Sequence, residues 1–180
     1  MTNRFLEGFV VLFCGIDEPK RTKAREVIVR YGGKWVDKYS KEVTCGIVGR
    51  VGSTGFKELR KAKVQLLQLK WLQDCILNRS LVQMEAPKYK VEIFTGLEVV
   101  CTQLLPDERN RVKTLVEAGG GTYSDRLVAA SCTHLIAKTP EGDKYVGAKK
   151  FGTVHIVTMA WVEECAKQKG ISTIANIYRL

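Results

Sequence analysis

The sequence predicts an α/β fold: two tandem βαββαβα domains, each a small parallel sheet flanked by helices. Three observations carry that expectation. First, the 180-residue chain repeats itself. Gly8 aligns with Gly96, and Gly32-Gly33 with Gly120-Gly121, all 88 positions apart, and Trp35 meets Tyr123 at the same offset. After single-residue slips Thr44 meets Thr133, Trp71 meets Trp161 and Cys75 meets Cys165. Second, short β-rich apolar runs alternate within each copy with segments of helical period, as in parallel sheets with crossover helices. Third, paired glycines stand at the same place in both copies. The boundary falls in "QMEAPKYKV", residues 83–91, where Pro87 and two lysines break the apolar pattern. The expected domains are 1–86 and 87–180.

The elements follow in order. "FVVLFC" and "LEVVCT" read as buried first strands. A turn containing Pro19 or Pro106 leads into the first helix of each copy. Ala24, Val27, Ile28 and Tyr31 fall at helical spacing in copy one, and Val112, Leu115, Val116 and Ala118 in copy two. Glycines close both helices, as a left-handed C-terminal cap requires. Short strands are expected at Lys34–Val36 and Thr122–Ser124, and third strands in "VTCGIV" and "CTHLIA". Phe56, Leu59 and Ala62 form the buried stripe of the next helix in copy one. Copy two continues with a helix from about Lys144 to Phe151, a strand "HIVT" and a helix "MAWVEECAKQKG" that stops at Gly170. Trp71 and Trp161, mid-helix among apolar neighbours, read as core residues rather than base-stacking platforms.

Gly119, Gly120 and Gly121 invite a phosphate-loop reading, but they follow a helix and precede a strand. A phosphate loop follows a strand and opens a helix, where free N–H groups and the positive end of the dipole are available. Capping and tight turning therefore account for the glycines. By the same logic an anion site belongs where a strand ends and a helix starts. In copy two that edge gathers the Thr102 hydroxyl, the Gln103 backbone N–H and Lys144, a compact set for phosphate. Spacing alone leaves two readings open, that site or a plain strand threonine and a solvated lysine. The corresponding place in copy one is weaker. Cys14 replaces the hydroxyl, Gly15 keeps a close-approach N–H, and Lys57, or Ser53 and Thr54, would substitute for a lysine whose position alignment puts on Gly55. Lys20, Arg21 and Lys23, with Arg109, Arg111 and Lys113, start the first helix of each copy. They read as solvated helix faces or as contacts for specificity or DNA.

Composition bounds the function classes. A net charge of +10 points to an anionic partner, either nucleic acid or an acidic or phosphorylated protein. No apolar run reaches the ~18 residues of a membrane span. The start lacks the basic flank and cleavage site of a signal peptide, so no membrane and an intracellular location are expected. The six cysteines form no CxxC and stand in no zinc-finger spacing with the two histidines. They are expected reduced and buried, with no metal and no cofactor. No GxSxG, HExxH, P-loop or GxGxxG is present, and His134 and His155 lie in strand patterns. An enzyme is not expected.

Taken jointly, the Gly-Gly turn after helix one, "CTHLIA", and Trp71 or Trp161 followed by Cys75 or Cys165 resemble the BRCT family in tandem. "GDKYVGAKKFGTVHIVTMAWVEEC" makes copy two the stronger match. The chain resembles the N-terminal BRCT repeats of the topoisomerase II-binding scaffold family of replication and checkpoint proteins. The resemblance implies a four-stranded parallel sheet, with the first and third helices on one face and the second on the other. It also implies a nuclear reader of phosphoserine or phosphothreonine in partner proteins, acting as a monomeric module of a longer scaffold. Thr102, Gln103 and Lys144 take the family's phosphate-binding roles. The family usually has glycine after the threonine, so Gln103 departs from the pattern while keeping a backbone N–H. Cys14 and the missing lysine leave copy one as a packing partner or a source of specificity. DNA, bound through the basic surface, is the alternative partner, and a phosphate-independent protein interface a further one.

Overall fold

The computed structural model describes residues 3–168. These divide into two compact units, the first ending at Val91 and the second starting at Glu92. The first contains β1 (Val10–Cys14), α1 (Lys20–Arg30), β2 (Lys34–Val36), β3 (Cys45–Val48), α2 (Phe56–Lys61), β4 (Gln65–Gln68) and α3 (Leu69–Asn78). The second repeats the order with β5 (Glu98–Thr102), α4 (Pro106–Ala118), β6 (Thr122–Ser124), β7 (His134–Ala137), α5 (Asp143–Phe151), β8 (His155–Val157) and α6 (Met159–Gln168). The expected stop of α6 at Gly170 lies outside the described residues.

Each unit holds one four-stranded sheet, ordered β2-β1-β3-β4 and β6-β5-β7-β8, with every pair parallel. The registers repeat as the sequence does. Val10 pairs with Lys34 and Glu98 with Thr122, and Cys14 pairs with Val48 and Thr102 with Ala137. A threonine pins the start of each central strand. Val10 N–H donates to Thr44 Oγ1 at 3.0 Å, and Glu98 N–H to Thr133 Oγ1 at 3.1 Å.

Parallel strands buried on both faces need apolar residues at every position, hence the continuous runs. Side chains still alternate between faces. Val11 and Phe13 join Ala24, Ile28, Trp71, Leu72 and Cys75 in one cluster. Leu12 and Cys14 lie on the other side, against the start of α2. Val100 likewise packs with Tyr145 and Ala148 of α5, while α4 packs on α6. Trp71 and Trp161 are core residues, 0% and 1% exposed. Ala62 is exposed, because α2 ends at Lys61 and leaves it at the cap rather than in the buried stripe.

The Gly-Gly turns act as caps. Gly120 has φ +78, and Gly121 N–H donates to Val116 O at 2.9 Å, recovering a carbonyl the helix end would leave unpaired. A Cβ on Gly121 would lie 2.8 Å from Val116 Cγ1 and 2.9 Å from Phe94 Cβ, so the position also requires close approach.

The first unit runs five residues past the expected boundary at 86/87. Tyr89 is 1% exposed in its core, and the Tyr89 hydroxyl donates to Asp74 Oδ2 at 2.7 Å. Lys88 donates to the same oxygen at 2.8 Å, and with Tyr89 holds that carboxyl down to about 2. Pro87 and the lysines break periodicity, but the segment stays bound through Asp74.

His134 on β7 stacks on Trp161, centroids 4.5 Å apart, and faces His155 at 5.0 Å. Desolvation, then the neighbouring His155, pushes its pKa down to about 3. Between pH 6.5 and 3 the unfolded chain binds a proton that the folded chain refuses, so stability falls as pH falls through that window. Urea denaturation should show the second unit losing about 1 kcal/mol per pH unit from pH 6.5 to 4.5. His134→Phe should flatten that slope; an unchanged slope would remove His134 as its source.

Candidate functional site

In each sheet the first strand is central. Its own crossover leads to one side, and the crossover of the next strand leads to the other. Such a switch point leaves a crevice at the carboxyl ends of the two strands, the usual ligand position in open α/β sheets. In the second unit it lies between the ends of β5 and β7, at Thr102 and Ala137, which are paired neighbours.

Thr102, Gln103 and Lys144 come together there. Thr102 is two residues beyond Val100, which packs with α5, so strand alternation puts both on the same side. Lys144 is the second residue of α5, and its half-buried chain runs back to the strand end. Its Nζ donates to Cys101 O at 3.1 Å and to Asp125 O at 2.7 Å. An ammonium has three N–H donors, so these bonds fix its position and leave one for an anion. Gln103 has φ +61, a left-handed conformation rare for a side-chain-bearing residue. Its side chain reaches the loop before α5, where Nε2 donates to Glu141 O at 2.9 Å and Oε1 accepts from the Thr139 hydroxyl at 2.7 Å.

The surroundings supply further charge and polarity. Burial pushes the Cys101 thiol up to about 11, offset in part by a hydrogen bond from Tyr123 and by Arg109 and Lys144. The Tyr123 phenol is also pushed up, by burial and then by Cys101 and Asp125. Arg109 thus stands near the strand end on the α4 side, and Lys113 is exposed on α4. Arg111 is spoken for, with Nε 2.9 Å from Glu163 Oε1 on α6. Lys138, just beyond β7, pairs with Glu108 at 3.2 Å. Glu108 accepts from Leu105 N–H at 2.8 Å and so caps α4. Sequence reasoning passed over Lys138, Thr139 and Glu141. The signal available was their position in "LIAKTPEGDK", between a buried strand and the helix that follows it.

The first unit keeps the backbone and loses the rest. Gly15 has φ +61, the conformation of Gln103. The loop after β3 closes directly onto it: Gly49 N–H donates to Cys14 O at 2.8 Å. A Cβ on Gly15 would lie 2.7 Å from Arg50 Cβ and 2.8 Å from Ser53 Oγ. Cys14 is fully buried, its thiol pushed up to about 11 by burial, and offers no donor to a ligand. Gly55 occupies the start of α2, and Lys57 is exposed on that helix. Of the weaker site expected at Cys14, Gly15 and Lys57, Cys14 is buried and Lys57 is exposed on the second position of α2. On α1, Lys20 and Lys23 are exposed, while Arg21 pairs with Glu18 at 2.8 Å. Among the described residues no cluster of His, Cys, Asp and Glu could hold a metal ion, and no helix is long and apolar enough to cross a membrane.

Two family models match the sequence. The BRCA1 C Terminus (BRCT) domain matches residues 1–76, and the twin BRCT domain matches residues 97–161. The chain belongs to the BRCT family. The BRCT pair is 26% identical over 175 residues to the S-M checkpoint control protein rad4 of Schizosaccharomyces pombe, covering 92% of this chain and 26% of that protein. It is 37% identical over 78 residues to PAX-interacting protein 1 of Mus musculus, covering 43% of this chain and 7% of the relative. The chain thus spans about a quarter or less of these relatives. The crystal structure of Rad4 BRCT1,2 in complex with a Crb2 phosphopeptide matches with TM-score 0.70 at 23% identity, over 99% of this chain and 100% of that one. The complex of the same Rad4 pair with an Mdb1 phosphopeptide matches with TM-score 0.70 over 97% of this chain and 98% of that one. This likeness establishes the tandem BRCT fold.

No disulfide joins any of the six cysteines, and all are buried. Burial raises Cys14, Cys101 and Cys132 to about 11 and Cys45 to about 12. Thiolate is the reactive form. Alkylation of Cys14 at pH 8, followed by mass spectrometry, should run more than about tenfold slower in the folded protein than in urea. Equal rates would mean that the end of β1 is open.

Proposed function

We propose that the second BRCT unit reads phosphoserine or phosphothreonine in partner proteins, as a module of a nuclear scaffold in DNA-damage or replication-checkpoint signalling. The observation that carries this reading is Lys144, whose ammonium is fixed at the end of β5 with one donor to spare. Thr102 contributes its hydroxyl and Gln103 its backbone N–H. One hydroxyl, one N–H and one ammonium match the acceptor oxygens of a phosphate monoester. The site binds and does no chemistry, since nothing in it pairs a nucleophile with a base. The rad4 pair, solved in complex with phosphopeptides, supports the same use of this fold. The first unit has neither hydroxyl nor lysine at the matching place and serves packing or specificity.

DNA is the weaker reading. The charge of +10 favours it, but Arg21, Arg25 and Arg111 are already engaged with Glu18, Asp37 and Glu163. Each paired cation has less to give a DNA backbone.

Fluorescence polarisation against a degenerate phosphothreonine peptide pool should show binding that vanishes on dephosphorylation. Lys144→Met should weaken it by about tenfold or more, the worth of one charge-assisted hydrogen bond. Equal binding by the variant would displace the site. Affinity for unmodified duplex DNA that falls steeply with salt and exceeds that for the peptides would favour the DNA reading.

A further inference from the structure

We infer that the side chain of Gln103 is a latch across the switch-point crevice, ordering the loop 138–142 and thereby setting Lys144 for its ligand. Gln103 is a positioning residue here, separate from the backbone N–H that the proposed site uses.

Three observations carry this. The first is conformational. Residue 103 sits at φ +61, where a side chain costs energy and glycine does not. The equivalent Gly15 has the same φ, and no room for a Cβ under Arg50 and Ser53. The second unit therefore carries a strained residue where the first carries the unstrained one, and a strained position calls for a compensating use.

The second is the bonding pattern. Nε2 donates to Glu141 O at 2.9 Å, and Oε1 accepts from the Thr139 hydroxyl at 2.7 Å and from Thr139 N–H at 3.3 Å. The amide orientation is fixed by its partners, a carbonyl that only accepts and an N–H that only donates. The Thr139 hydroxyl also lies 3.1 Å from Glu141 Oε1, and its single proton goes to the shorter contact.

The third is position. The loop so held ends at Gly142, and α5 starts one residue before Lys144. In the first unit Gly15 has no side chain to make such a crossing, and the loop after β3 continues the ladder, with Gly49 N–H donating to Cys14 O at 2.8 Å. In the second the glutamine side chain makes a crossing between the loops that follow the two strands. Without it, the loop and the first turn of α5 sample more conformations, and the fixed ammonium is lost part of the time.

Gln103→Gly tests this, because it keeps the backbone N–H, relieves the strained φ and removes the latch. The variant should be at least as stable to urea as the natural sequence. Its affinity for the tightest member of the phosphothreonine pool should nevertheless fall by about three- to tenfold, the worth of one or two hydrogen bonds. Amide hydrogen exchange across 139–146 should quicken in the free protein. Thr139→Val should cause a smaller loss, and the double variant should bind no worse than Gln103→Gly alone, as residues acting through one contact do. Unchanged affinity in Gln103→Gly, or losses that add, would overturn the positioning role. The affinity arm rests on the phosphopeptide reading; the exchange arm does not. Should the natural sequence bind no phosphothreonine peptide, that reading falls, and unchanged exchange at 139–146 would separately overturn the latch.

Discussion

Parallel pairing of every strand with its neighbours governs both units. A parallel sheet cannot be closed by hairpins, so crossover connections must return the chain, and here helices follow every strand but β2 and β6. That requirement buries the inner strands β1, β3, β5 and β7 on both sides and leaves them largely apolar. It also brings every strand end and every following helix start to one edge. With the first strand central, the crossovers diverge beside it and a crevice opens between β5 and β7. Thr102, Lys144 and the loop between them are consequences of that topology.

What fills the crevice separates the two copies. In the first unit a glycine at the strand end lets the next loop close down on the backbone, and the threonine and lysine positions hold Cys14 and Gly55. In the second unit Gln103 keeps the same left-handed turn and spans the gap with its amide. Lys144 donates to the carbonyls of Cys101 and Asp125 and retains a donor. The packing of the two sheets is alike, so the difference in use rests on a few residues at one edge.

The sequence made the repeat, the central strands and the tryptophan anchors legible, because burial on both faces imposes apolar runs and recurring spacings. Thr102 and Lys144 were legible through topology, as a strand end and a helix start must share an edge. The latch was not. It joins Gln103 to Thr139 and Glu141 across 36 and 38 positions by side-chain contacts that leave no period in the sequence. The chain stays with the first unit past Pro87 for a similar reason, since Asp74 pairs with Lys88 and Tyr89 across 14 and 15 positions. Arg111 reads as part of a solvated helix face or as a contact for specificity or DNA, and the structure pairs it with Glu163, 52 positions on.

The central claim is that phosphate is held where β5 ends and α5 begins. It is tested most directly by NMR titration of the 15N-labelled chain with a phosphothreonine peptide from the pool. On this account the amide of Gln103 shows the largest shift, with Thr102 and the first turn of α5 close behind and Gly15 unmoved. Shifts concentrated on the basic first turn of α1, with residues 102–103 and 143–146 unchanged, would contradict it.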